Sequence, residues 1–191
     1  MKKKLLCVGN GSVGSISLDI IKNTKIYESI KVLKIKKNIT EKDLKKKLQD
    51  IKKDNYKFAI IGFASLINQK NNQIIYDLLK SLKFRIINVV HHKAIVDKNV
   101  KIKNGVKIFP GVIINKKSIL NSNVFINTGS IIDHDCLIKE HSQIGPGCRI
   151  AGNVKIGKRS FIGMGTIVKQ GIIIGNDYSF ARGTSRTYRW Q

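Results

Sequence analysis

Asp133-His134-Asp135-Cys136 sets one imidazole between two carboxylates. A histidine in that setting is a general base. A carboxylate on its second ring nitrogen fixes the tautomer and raises basicity, and either Asp133 or Asp135 can supply it. Eighteen residues further on stands Gly152, and eighteen back stands Lys116. If residues at that interval stack, a bare glycine lies over the histidine. It leaves a side-chain-free pocket and offers a backbone N–H beside the ring. A base next to a donor for a developing oxyanion is what acyl transfer needs. On spacing alone, the alternative is a solvated histidine flanked by acids.

Gly9, Gly11 and Gly14 form a G-x-G-x-x-G turn between an apolar run and a helical pattern. Glycine backbone and a helix N-terminus at such a turn can hold a phosphate. A tight turn with no ligand is the other reading. NAD is disfavoured, because the second strand ends Val32-Leu33-Lys34-Ile35-Lys36-Lys37, without the ribose-binding acid. The histidines lack ligand spacing with cysteine or a second histidine, so no metal site is expected.

The stacking interval comes from a repeat. Aliphatic residues recur every sixth position at Val96, Ile102, Ile108, Ile114, Leu120, Ile126, Ile132, Ile138, Ile144, Ile150, Ile156, Ile162, Val168 and Ile174. Four residues after each of the first thirteen sits a small or β-branched residue, such as Val112, Ser130, Cys136 or Ser142. This period fits neither a helix nor a simple strand. It predicts a parallel β-helix with three faces, large aliphatics inside and small residues at the corners. One coil is then eighteen residues, and residues i and i+18 lie one strand spacing apart, roughly 4.8 Å.

Residues 1–90 read differently, as strand and helix in alternation, which argues a small parallel α/β sheet. The apolar runs KLLCVGN, KVLKI, KFAIIGF and RIINVV are the strands. Ser12–Lys22, Glu41–Lys53 and Gln73–Leu82 are the helices. The expected organisation is a Rossmann-like domain over 1–90, a β-helix over 91–180 and an atypical tail over 181–191.

The formal charge of +24 invites a nucleic-acid reading. Only six of the 36 basic residues are arginine, however, and the lysines are spread along the chain without a zinc-finger or RNA-binding motif. Solvated lysine-rich surfaces fit better, with a positive field that draws anionic small molecules. No apolar run approaches the ~20 residues of a membrane span. The start has no signal-peptide pattern, so a cytoplasmic protein is expected. Cys136 and Cys148 fall in the small-residue slots and are expected to pack, not to form disulfides.

Residues 4 to about 176 resemble the bacterial sugar acetyltransferases of the sialic-acid O-acetyltransferase and UDP-4-amino-sugar N-acetyltransferase group. The likeness is most specific over Ile126-Asn127-Thr128-Gly129-Ser130-Ile131-Ile132-Asp133-His134-Asp135-Cys136. It continues through Pro146-Gly147, Ala151-Gly152-Asn153-Val154-Lys155-Ile156-Gly157 and Phe161-Ile162-Gly163-Met164-Gly165. The resemblance implies a nucleotide-sugar-binding α/β domain followed by a left-handed β-helix. It implies His134 as the base, Asp135 orienting it, and Gly152 N–H on the thioester carbonyl. Gly163 and Met164 would line the pantetheine groove, and Gly9, Gly11 and Gly14 would hold the nucleotide or sugar. Acetyl-CoA would lie between neighbouring prisms of a homotrimer.

The chain departs from that family in three places. Gln143 stands where a histidine near the acetyl group is usual. Gln143 can hydrogen-bond but cannot act as a base, and His141 is a possible substitute in another register. Ser12-Val13 replaces a turn histidine, and lysines replace a pair of acids after the second strand. Three of the six arginines and the only tryptophan fall in Asp177–Gln191. That segment reads as an altered terminus, or else Tyr188 and Trp190 cap the coil.

The expected activity is acetyl-CoA-dependent acetylation of an amine on a UDP-linked amino sugar, or of a hydroxyl on sialic or a related nonulosonic acid, for surface glycan synthesis. A catalytically inactive trimeric scaffold that binds sugar nucleotides is the alternative. An acyl group delivered by an acidic carrier protein is a third.

Overall fold

The structure, a computed structural model, describes residues 3–35, 39–64 and 69–179. The expected tail over 181–191, with Tyr188 and Trp190, lies outside the described residues, as do Lys36 and Lys37.

The first part is β1 (Lys3–Val8), α1 (Ser12–Lys22), β2 (Tyr27–Leu33), α2 (Glu41–Lys53), β3 (Phe58–Ile61), α3 (Gln69–Ser81) and β4 (Arg85–Ile86). The strands form one parallel sheet in the order β2-β1-β3-β4. Alternation along β1 sorts its side chains. Leu6 and Val8 pack with α2 and α3, and Leu5 and Cys7 with α1. α2 shows how local signals fix an element. Leu44, Leu48 and Ile51 form its buried stripe. The Thr40 side chain accepts from Asp43 N at 3.1 Å, closing the N-terminus. Glu41 and Asp43 open the helix while Lys52 and Lys53 end it, matching its dipole.

Two boundaries differ from the sequence reading. β2 starts early, at Tyr27, whose ring packs edge-on against Phe58 with centroids 5.6 Å apart. α3 begins at Gln69, not Gln73. The RIINVV run also splits. β4 closes the α/β sheet, and β5 (Val89–Val90) begins the repeats, with Ile87 and Asn88 crossing between them.

From Val89 the chain is a left-handed β-helix of three five-stranded parallel sheets. The register is eighteen throughout, as in Ile126↔Ile144, Ile132↔Ile150 and Ile138↔Ile156. The inward aliphatics from Ile108 to Ile162 are fully buried. Polar corner slots are satisfied internally. Ser130 Oγ donates to Gly145 O at 2.7 Å and accepts from Cys148 N at 3.2 Å. Ser118 Oγ repeats the pattern with Asp133 O and Cys136 N. Hydroxyls therefore sit in the corners without a desolvation penalty. Cys7, Cys136 and Cys148 are free, buried thiols.

The first face presents Val89, Lys107, Phe125, Gln143 and Phe161 outward. The α/β part covers it. Val89 packs with Leu5, Cys7, Ile21 and Ile60, and Phe109 and Phe125 pack with Val13. The prism thus takes the place of a second helix beside α1. The second face carries Ile95, Ile113, Ile131, Arg149 and Ile167. The third carries Lys101, Ile119, Leu137, Lys155 and Ile173.

Lys107 is an anomaly in the covered face, only 3% exposed. Its Nζ reaches Asn123 Oδ1 at a long 3.5 Å. Among the described residues no carboxylate pairs with it. Burial pushes its pKa down from 10.5 to about 8, against a smaller upward pull from Cys7. The ammonium therefore costs stability at neutral pH, on the order of 3 kcal/mol. That cost is full below pH 8 and fades as pH climbs toward 10.5. Lys107→Met should be the more stable protein at pH 7, and its advantage should shrink between pH 8 and 10 in paired urea titrations. A constant difference across that range would contradict the account.

Candidate active site

Each corner of the prism is a four-residue turn, and residues eighteen apart form columns along its edges. The edge between the second and third faces carries one column of Lys98, Lys116, His134, Gly152 and Gln170. Beside it runs Asn99, Lys117, Asp135, Asn153 and Gly171. Backbone bonds across the coils fix the stack. Asp135 N donates to Lys116 O at 3.1 Å, and Asn153 N to His134 O at 3.0 Å.

Asp135, not Asp133, holds the imidazole. His134 Nδ1 donates to Asp135 Oδ2 at 2.8 Å, and both side chains are 40% exposed. Asp135 sits at φ +58°, the left-handed corner conformation that aspartate tolerates. With Nδ1 donating, Nε2 keeps its lone pair and is the basic atom. Asp133 serves the backbone instead. Its Oδ1 accepts from His134 N and from Asn115 Nδ2, each at 2.8 Å. These two bonds hold its carboxyl below the usual range.

The expected empty pocket over His134 is occupied by the ring itself. A Cβ on Gly152 would lie 2.7 Å from both Cε1 and Nε2 of His134. Any side chain at 152 would displace the imidazole, so the glycine is what lets Nε2 approach the next coil. One residue earlier the repeat changes in a way the sequence reading missed. The position equivalent to Asp133 is Ala151, which has no side-chain acceptor. The Gly152 N–H therefore lacks the cap that Asp133 gives His134, and among the described residues it has no hydrogen-bond partner. The signal was legible in the eighteen-residue register, as Asp133 followed by Ala151.

The other expected residues lie elsewhere in this chain. Gly163 and Met164 are on the edge between the first and second faces. Gly163 O accepts from Cys148 Sγ at 3.0 Å and Thr166 Oγ1 at 2.7 Å. Met164 beside it is 67% exposed. Gln143 points from the first face and is buried. His141 does not lie on this edge of its own chain. It sits on the third-to-first edge, buried edge-on against Tyr76 of α3 at 5.2 Å. Its Nδ1 accepts from Asn123 Nδ2 at 3.1 Å, and burial lowers its pKa.

The glycine turn divides its labour. Gly9 has φ +104°, and a Cβ there would meet Phe63 at 2.8 Å. A Cβ on Gly14 would come within 2.7 Å of Gly62 O, so this glycine lets α1 pack on β3. Gly11 differs. Its φ is −72° and a Cβ would have only one neighbour, at 4.0 Å. It caps α1 without a side-chain hydrogen bond, and the first turn holds no acid. Packing does not require this glycine, and its bareness keeps the helix N-terminus open to an anion. Among the described residues no cluster of three metal-ligating side chains occurs, and no helix is long and apolar enough to cross a membrane.

Replacing Gly14 by alanine should lower the melting temperature, because Gly62 backbone must shift. Gly11→Ala should leave melting within about 0.5 kcal/mol of the parent, as for an unconstrained surface site. Equal losses at both positions in thermal denaturation would contradict this division of roles.

Residues 135–170 match the bacterial transferase hexapeptide (six repeats). Among solved structures, the chain is similar to a histidine-to-alanine variant of GDP-perosamine N-acetyl transferase from Caulobacter crescentus, in complex with CoA and GDP-perosamine. The TM-score is 0.80 at 22% identity, covering 91% of this chain and 83% of that one. It is also similar to the acetyltransferase domain of PglB from Neisseria gonorrhoeae in complex with acetyl coenzyme A, with TM-score 0.77, 23% identity and coverages of 92% and 86%. WeeI from Acinetobacter baumannii matches at TM-score 0.65 and 17% identity over 95% and 93%. The chain therefore has the fold of these proteins, an α/β part followed by a left-handed β-helix, and carries the bacterial transferase hexapeptide repeat within it.

Proposed function

We propose that this protein is an acetyl-CoA-dependent sugar acetyltransferase whose base is His134 and whose preferred acceptor is the amine of a nucleotide-linked amino sugar. One observation carries the reading: His134 Nε2 lies against bare Gly152, beside an N–H that Ala151 leaves uncapped. The neighbours described with CoA or with GDP-perosamine support the choice of donor and acceptor class.

His134 Nε2 removes a proton as the acceptor nitrogen attacks the thioester carbonyl, and Asp135 stabilises the imidazolium that forms. Gly152 N–H receives the oxyanion. The C–S bond then breaks, and the proton on His134 passes to the departing thiolate. Atoms and charge balance without a metal. Gly163 and Met164 are assigned to the pantetheine arm and Gln143 to a hydrogen bond near the acetyl group. Gly9, Gly11 and Gly14 are assigned to the nucleotide or sugar.

Gly163, Met164 and Gln143 point away from the His134 edge of their own chain, so this assignment requires a neighbouring copy, and a homotrimer supplies it. The faces flanking the His134 edge support that assembly. They expose Ile95, Ile167 and Ile173, in line with the half-buried Ile113, Ile131, Ile119 and Leu137. Three free buried thiols suit a reducing, cytoplasmic setting.

The deciding experiment is CoA release from acetyl-CoA by thiol detection, with a UDP-4-amino sugar, GDP-perosamine and free sialic acid in parallel. Release with a nucleotide-linked amine, lost in His134→Ala, is expected. No release from a folded trimer would favour the inactive scaffold, and release with sialic acid alone would mean O-transfer. Ala151→Asp is a sharper probe. The new carboxylate should cap Gly152 N–H as Asp133 caps His134, lowering kcat by roughly 100-fold with KM little changed. Unchanged kcat in that variant would remove Gly152 from the mechanism.

A further inference from the structure

We propose that the β-helix itself carries an anion subsite below His134, built for the diphosphate of the acceptor. The inference rests on the acyl-transfer reading of His134 and deepens it.

In both columns of the His134 edge the cations lie on one side only. Lys98 and Lys116 precede His134, whereas Gly152 and Gln170 follow it. Lys117 precedes Asp135, and Asn153 and Gly171 follow. On the adjoining third face Lys101 pairs with Ile119, Ile119 in turn with Leu137 in the coil of His134, and Leu137 with Lys155 beyond it. Lys98, Asn99, Val100, Lys101, Lys117 and Ile119 line a groove of about 430 Å³. Its floor is Val100 and Ile119, and its cations come from two successive coils.

The acids of this edge do not neutralise it. Asp97 Oδ1 accepts from Asn99 N at 2.8 Å. Asp133 is held by His134 N and Asn115, and Asp135 by the imidazole. Among the described residues none of Lys98, Lys101, Lys116 and Lys117 forms an ion pair. Three ammonium groups line this one groove, more than a single carboxylate would balance. Lysine is a compact point charge suited to phosphate oxygens. The groove lies one to two coils from His134, roughly 5–10 Å at the parallel strand spacing. A pyranose ring bridges that distance between an anomeric diphosphate and an amine on its far side. The anionic end of the acceptor sits toward the first coils, and the thioester approaches across Gly152.

The test is calorimetric binding of UDP, inorganic pyrophosphate and N-acetylneuraminic acid to the full chain. It compares wild type, Lys98→Gln/Lys101→Gln/Lys117→Gln, His134→Ala, and Lys42→Gln/Lys45→Gln/Lys46→Gln. The last removes the same charge from the exposed side of α2. The groove variant should bind UDP and pyrophosphate about tenfold or more weakly. The α2 variant should differ from wild type by less than about twofold, as a screened distant charge. His134→Ala should bind UDP normally. Equal UDP affinity in the groove variant and wild type would overturn the subsite. So would lysine-dependent binding of N-acetylneuraminic acid without pyrophosphate binding, or equal losses in the two triple variants. Weakened pyrophosphate binding in the groove variant, with no CoA release from any acceptor, would sustain the subsite and reject the transferase reading.

Discussion

Everything at the His134 edge depends on one constraint, the unbroken eighteen-residue register of the coil. Parallel strand pairing holds Ile132 against Ile150, and the aliphatic interior makes any slip costly. A one-residue shift would turn buried isoleucines outward. The register then decides the chemistry. It lays His134 over Gly152 and brings Ala151 to the position where the previous coil has Asp133. An imidazole and an uncapped N–H meet because two corners of different sequence are forced into one column. No loop flexibility enters, and the groups are preorganised by the scaffold's repeat.

The two parts of the chain are joined by a surface with mixed demands. Val89, Phe109 and Phe125 bury apolar area against Leu5, Cys7 and Val13. Lys107, in the same face, is buried without an acid partner among the described residues. The polar bridge from Asn123 to His141 and to Asn72 O ties the third-to-first edge to α3. Arg159 adds a two-oxygen grip on Asp177, at 2.6 Å to each carboxylate oxygen, and reaches Gln73 Oε1 at 3.1 Å. The histidine in this bridge accepts at Nδ1 and packs on Tyr76. It is a joint between the parts.

Much of this was legible in the sequence, for physical reasons. A hexapeptide period survives because every inward position faces the same interior, so the coil, its register and the stacking of His134 with Gly152 could be read directly. α2 was bounded correctly because Thr40, its acids and its lysines all act within one turn of its ends. The split of RIINVV was not legible. β4 and β5 differ only in which sheet pairs with them, and composition is silent on that. The choice of Asp135 over Asp133 was left open by the residues alone, since both are adjacent to the ring and only the structure shows Asp133 engaged by His134 N and Asn115 and Asp135 by Nδ1. Gln143 was expected near the acetyl group and Met164 along the pantetheine groove. The coil places them on other sides of the prism, because local motifs do not say which chain completes a site.

The central claim is that His134 presents an unprotonated Nε2 toward Gly152 because Asp135 holds the proton on Nδ1. Long-range ¹⁵N–¹H NMR of histidine-labelled protein, at a pH where the ring is neutral, measures that tautomer directly. The account predicts Nδ1–H for His134, weakened toward a tautomer mixture in Asp135→Asn. A dominant Nε2–H tautomer in the wild type would contradict it, since the atom facing Gly152 would then have no lone pair with which to take a proton.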